Sequence, residues 1–263
     1  MRTKLRQCLV AASLAVTVAV AGTAQPAHAA APTIDWTALI INIATKLIGS
    51  GGGGVSSGEL NAAVQQVVGA VGAAKTEILN HIDAIASAEV QSCARHHAIE
   101  FTDINNMNAA VLQSWAQDAT ACATKATSYV TAVQSAKAAG DIGFLLGEIY
   151  AIAVAARTKA GLVNGIDYLI RDQVRAYDVV VTKTAPQCKT IWYTWGDPVY
   201  TWYSEVTYTC TAYDGERVGA TEYWYGSQIE QPIDYAWVES YSCRNTSRPI
   251  AIDAIPRLRA IVP

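Results

Sequence analysis

The chain has 263 residues, 51% of them hydrophobic and 16% charged, with a formal net charge of −3. That size accommodates one large domain or two small ones. The acidic balance argues against nucleic acid, and against an anionic membrane as a purely electrostatic partner.

Arg2, Lys4 and Arg6 precede the apolar run Leu9 to Ala21, and Ala27-His28-Ala29 follows as a small-x-small cleavage pattern. This predicts a cleaved export signal over residues 1–29 and a secreted, extracellular product. The Ala/Val/Gly bias of the leader resembles that of bacterial signals. The run is shorter than the roughly 20 apolar residues that a bilayer helix needs. Cleavage takes three of the 19 basic residues and leaves 16 against 22 acidic ones, a net charge near −6. Five cysteines then remain, Cys93, Cys122, Cys188, Cys210 and Cys243, expected to be oxidised outside the cell with one left over.

Residues 30–48 read as a short apolar helix, with Ile34, Trp36, Leu39, Ile40, Ile43 and Leu47 at three- and four-residue steps. Residues 49–58 form a Gly/Ser-rich linker in which no phosphate-binding loop motif is present. Ser56-Ser57-Gly58-Glu59 is a capping-box pattern that opens a helical bundle over residues 59–186. A seam of Leu60, Val64, Val67, Val71, Ala74, Ile78, Ile82 and Ile85 predicts one long amphipathic helix to about Glu100. A turn is expected within Thr102–Asn108, followed by a second seam, Val111, Trp115, Ala119, Cys122, Ala126, Tyr129 and Val133. Ala139-Gly140-Asp141 is read as its break. A third helical stretch runs from Ile142 to about Lys183, bent near Gly161–Gly165 and ended by Pro186. Three long segments with short breaks imply a coiled-coil-like antiparallel bundle. With the hairpin turn near Met107, Cys93 and Cys122 fall level and can bridge. With the turn at Thr102 they are roughly 16 Å out of register and cannot. The bridge is the expectation, because it staples a secreted hairpin.

After Pro186 the period changes to two. Residues 187–263 hold five of the seven Trp, nine of the thirteen Tyr and no Phe. Runs near Lys189–Trp195, Tyr200–Thr211, Val218–Tyr225 and Asp234–Cys243 predict an antiparallel β-meander. Neighbouring strands favour Cys188–Cys210, leaving Cys243. Residues 249–263 suit an edge strand or extended arm. The fold class is therefore α+β: a disulfide-stapled helical bundle followed by an aromatic β domain.

Three kinds of chemistry are compatible with particular residues. Cys93, His97 and Glu100 have metal-compatible helical spacing, but a structural cystine beside a solvated histidine explains them better, and no metal or cofactor is expected. Glu205, Glu222 and Glu239 sit in aromatic runs and would suit sugar cleavage; solvent-facing carboxylates that keep a sheet soluble are the plainer reading. The residues from Ile142 to Ala156, about 22 Å of apolar helix, are read as a buried core helix with Glu148 at its rim, conditional membrane insertion being the alternative. Trp and Tyr differ from Phe by a polar tip, which suits half-wet contact surfaces. The leading expectation is thus a non-enzymatic binding protein that contacts a glycan or protein surface through Trp192, Trp195, Trp202, Tyr203, Trp224 and Trp237. A membrane-active helical toxin component is the runner-up and a secreted hydrolase the third reading.

Overall fold

A computed structural model describes residues 34–48, 56–197 and 201–262. The predicted signal, the glycine run 49–54 and Tyr200 lie outside the described residues. Helices α1 (Trp36–Ile48), α2 (Ser57–Ala73), α3 (Lys75–Asp83), α4 (Ala88–Glu100), α5 (Ala109–Ala132), α6 (Ala136–Lys159) and α7 (Ile166–Lys183) precede strands β1 (Gln187–Asp197), β2 (Thr201–Thr211), β3 (Arg217–Tyr225) and β4 (Gln228–Glu230), and α8 (Tyr235–Ser242) and α9 (Arg248–Arg259) close the chain. The architecture is α+β, as the change of period implies.

Helices α2, α4, α5 and α6 begin where a side chain satisfies a free backbone N–H, whereas α3 and α7 start without such a cap. Ser56 and Glu59 form the expected capping box on α2. Ser87, Asn108 and Ser135 accept from Val90, Val111 and Ala138 at the starts of α4, α5 and α6. The single long helix expected to reach Glu100 is three helices instead. Its seam continues through Val71, Ile78, Ile82 and Val90, all buried, but the helix ends at Ala74 and again at Ala84. Ser87 competes for the backbone and restarts it as α4. The break after α5 falls at Val133–Ser135, earlier than Ala139–Asp141, and Gly140 lies inside α6.

The apolar stretch of α6 is the hub of the body, in contact with α1 to α5, α7 and α9. From Leu145 to Ala156 every residue is buried. Among the described residues α6 is the one helix long and apolar enough to cross a membrane, and 83% of that window is buried within the protein. Its glycines admit close neighbours: a Cβ on Gly143 would sit 2.3 Å from Ser247 Oγ, and one on Gly147 would sit 3.1 Å from the Trp36 side chain. Helix α1 therefore folds back onto α6 as a bundle member. Glu148 is buried rather than at a rim, and the Nδ1 of His81 in α3 meets its Oε1 at 2.8 Å.

Cys93–Cys122 joins α4 to α5, as the later turn requires, and Cys188–Cys210 joins directly paired positions of β1 and β2. Closing a loop with 29 residues of sequence separation is worth about 3–4 kcal/mol by the chain-entropy argument. Cys243 is free and buried.

The sheet is an antiparallel meander in the order β1-β2-β3-β4. Two expected β segments are helices. The alternating aromatics of Asp234–Cys243 imitate a strand, yet Asp234 caps Trp237 N and the buried Val238 and Ser242 lie four apart, which makes α8. The tail, expected as an edge strand or arm, is α9. Pro249 is tolerated in its first turn, and Ala251, Ala254 and Leu258 pack into the bundle core while Ile250 and Ile252 face solvent. The sheet meets the body at its base, where the Tyr213 ring lies over Gly140 so closely that a Cβ there would be 2.1 Å from it. Ser247 locks the joint by donating to Gly140 O at 2.8 Å.

Candidate functional site, an aromatic sheet

Strand alternation gives the sheet two unlike faces. One carries Cys210, Val218, Ala220 and Tyr208 at its base, where α8 covers it with Val238, and Ile233 completes this small core. Tyr208 donates to Glu239 Oε1 at 2.7 Å and packs edge-on against Tyr235. Glu222 is buried on the same face, its two oxygens taken by Trp224 Nε1 at 2.9 Å and Ile233 N at 3.0 Å. It anchors the chain between β3 and α8. Beyond α8 this face opens, exposing Trp192 and part of Trp224, whose ring centroids are 6.4 Å apart.

The second face is uncovered by the described chain. Paired positions Trp195, Tyr203 and Tyr225 form one aromatic row across β1, β2 and β3. Trp195 and Tyr203 lie within 11° of parallel at 6.2 Å, and Tyr203 meets Tyr225 at 63° and 5.0 Å. The adjacent row is Tyr193, Glu205, Tyr223 and Glu230 across all four strands. All five rings are more than 40% exposed. Cross-strand ring pairs of this kind hold one another in place, so the surface is formed before any partner arrives.

The six residues favoured from sequence do not converge on one surface. Trp195 and Tyr203 share the open face; Trp192 and Trp224 occupy the other; the Trp202 side chain lies outside the described part. Trp237 stands on α8, stacked on Tyr241 at 5.0 Å, with Arg244 4.1 Å over the Tyr241 ring. Tyr193, Tyr223 and Tyr225, which are not among those six, complete the open face. Their signal was parity: each lies an even number of residues from a member of the face in its own or the paired strand.

The three carboxylates that would suit sugar cleavage stand in different settings. Glu205 projects from the open face, Glu222 is buried on the opposite one, and Glu239 is on α8. Cys93 is consumed in its disulfide, and His97 is buried rather than solvated. Burial first, and then the charge of His96, pushes the His97 pKa down to about 4. Glu100 accepts from Trp115 Nε1 at 2.9 Å. No group of three His, Cys, Asp or Glu suited to a metal occurs among the described residues. Two disulfides and an exposed aromatic cluster are consistent with a binding surface in an oxidising, extracellular setting. Comparison with known family models, curated proteins and solved structures found no match.

Proposed function

We propose that the protein is a secreted, non-enzymatic binding protein that holds a partner on the open face of its sheet. The observation that carries this is the set of five exposed rings, Tyr193, Trp195, Tyr203, Tyr223 and Tyr225, on one rigid face. Exposing so much apolar area has a solubility cost, and contiguous patches of this kind mark contact sites. Of the two partner classes expected, a protein surface fits better than a glycan. A sugar platform needs coplanar rings, and the 63° turn at Tyr225 breaks the plane set by Trp195 and Tyr203. Trp192 and Trp224 on the opposite face supply a second contact area. The export signal over residues 1–29 belongs to this reading.

The decisive experiment compares the chain with its Trp195→Ala/Tyr225→Ala double variant on arrays of extracellular proteins and of glycans. Binding should weaken at least about tenfold in the variant, with circular dichroism showing that it keeps its fold. Equal binding by the two proteins would remove the reading. A membrane-active role has one specific support, the length and apolarity of α6. Robust dye release from liposomes at low protein concentration would favour it, and its absence would favour the binder. A hydrolase has the least support, since Glu222 is buried and held by two donors and Glu205 projects from the opposite face of the sheet.

A further inference from the structure

We infer that the open face reads positive charge, and that its partner is a basic polypeptide segment presenting arginine or lysine side chains; this deepens the binding reading above and rests on it. The row Tyr193, Glu205, Tyr223, Glu230 runs directly across the four strands, so aromatic ring and carboxylate alternate in register. Adjacent strands lie about 4.8 Å apart, which sets the two carboxylates roughly 10 Å from each other with Tyr223 between them. The neighbouring row, Trp195, Tyr203 and Tyr225, walls this line along one side. Each carboxylate is therefore bordered by ring faces and edges. A guanidinium or ammonium seated there gains attraction from the ring quadrupole together with a charge-assisted hydrogen bond to the carboxylate.

Charge balance on the face points the same way. Among the described residues neither Glu205 nor Glu230 makes an ion pair. Among the described residues the one hydrogen bond to the Glu205 side chain is long, 3.4 Å, from Thr207 Oγ1 on its own strand. The basic residues of this face, Lys189 and Arg217, belong to its other end, beside the Cys188–Cys210 bridge. Lys189 is four residues from Tyr193 along β1, roughly 13 Å. The aromatic end thus carries acid without base. A neutral partner that covered it would strip water from two carboxylates and return nothing, which is unfavourable. A cationic partner compensates both. An anionic membrane surface would be repelled, and a neutral sugar leaves the carboxylates unanswered.

Isothermal titration of the full chain with two short peptides tests the idea. One alternates arginine and serine; the other carries neutral citrulline in place of every arginine. The arginine peptide should bind at least about tenfold more tightly than the citrulline peptide. Glu205→Gln/Glu230→Gln should abolish that preference, whereas Glu89→Gln, which removes an exposed carboxylate of α4, should preserve it. Circular dichroism confirms that all variants fold. If the two peptides bind equally, or if the double variant keeps the preference, the cation-reading proposal is overturned while the aromatic binding surface stands. If neither peptide binds the unmodified chain, or if phosphatidylcholine vesicles bind in their place, the proposal is likewise overturned. The binding reading is then judged separately by the Trp195→Ala/Tyr225→Ala comparison.

Discussion

Tyr150 in the helical body is 0% exposed, and Tyr193 on the sheet is 59% exposed. The Tyr150 hydroxyl is held between Thr127 Oγ1 at 2.5 Å and Asp172 Oδ2 at 2.6 Å. Burial first, then the hydrogen bond to Asp172, pushes its pKa far above the usual phenol value. Tyr193 has no such enclosure. The body uses the polar tip of tyrosine to satisfy an interior, and the sheet turns the same group toward solvent. The difference lies in what surrounds the ring: α6 is wrapped by seven other helices, whereas no described helix packs over the open face of the sheet. A domain stable by virtue of its bundle can carry a sheet whose side chains serve contact rather than folding.

The sharpest way to break this comparison is a pair of truncations. Tyr150→Ala removes a fully buried ring and leaves Asp172 and Thr127 without their bond, so it should cost about 3–5 kcal/mol in urea unfolding. Tyr223→Ala should change stability by no more than about 0.5 kcal/mol. Similar losses for the two would mean that the sheet face is part of the folding core after all.

Much of this division is legible in the sequence, but unevenly. Caps at Ser56 and the seam from Val64 to Ile82 announce helices because large apolar residues repeat at helical steps there. Helices α8 and α9 are hidden for the opposite reason. Each buries only one large apolar residue, Val238 in α8 and Leu258 in α9; the other buried positions, Ser242, Ala251 and Ala254, are small and carry little hydrophobic signal. Their large residues, Tyr235, Trp237 and Tyr241 in one and Ile250 and Ile252 in the other, fall two or four apart and imitate a strand. At the candidate site, residue type misled where parity would not: Trp192 and Trp195 are three apart in β1 and must face opposite ways. The burial of Glu148 and Glu222 is not legible, because no sequence pattern announces the partners His81, Trp224 and Ile233.

Two histidines of the body offer a pH test of intermediate size. His97 is buried neutral, with its pKa down to about 4, facing His96 on its own helix and Asp118 and Glu100 nearby. A proton binds the unfolded chain more readily, so the stability of the folded state is lost as pH falls from about 6.5 toward 4, on the order of 3 kcal/mol. His81 behaves oppositely. Burial opposes its protonation, but the hydrogen bond and charge of Glu148, helped by Glu77, outweigh burial and raise its pKa. Its contribution is complete below the unfolded value near 6.5 and fades as pH rises through the folded value. Stability measured against pH should therefore lose its acid-side slope in His97→Phe and its slope above neutrality in His81→Gln. If both variants keep the parent profile, neither histidine is held as described.

The smallest expected effects come from the caps, and they separate the two regions most finely. Ser135→Ala exposes the start of α6, and Asp234→Ala exposes the start of α8; each should cost about 1 kcal/mol. The consequences should differ in reach. Helix α6 touches most of the body, so losing its cap lowers the global unfolding free energy and leaves local openings unchanged. Helix α8 packs mainly on β2 and β3, and the buried free thiol of Cys243 adjoins its last turn. Loosening it should speed alkylation of Cys243 about fivefold, as followed by mass spectrometry, because 1 kcal/mol shifts an opening equilibrium by that factor. Ser135→Ala should leave the alkylation rate unaltered under native conditions. Equal acceleration by both variants would show that α8 opens only when the whole chain unfolds, and that body and sheet are a single cooperative unit.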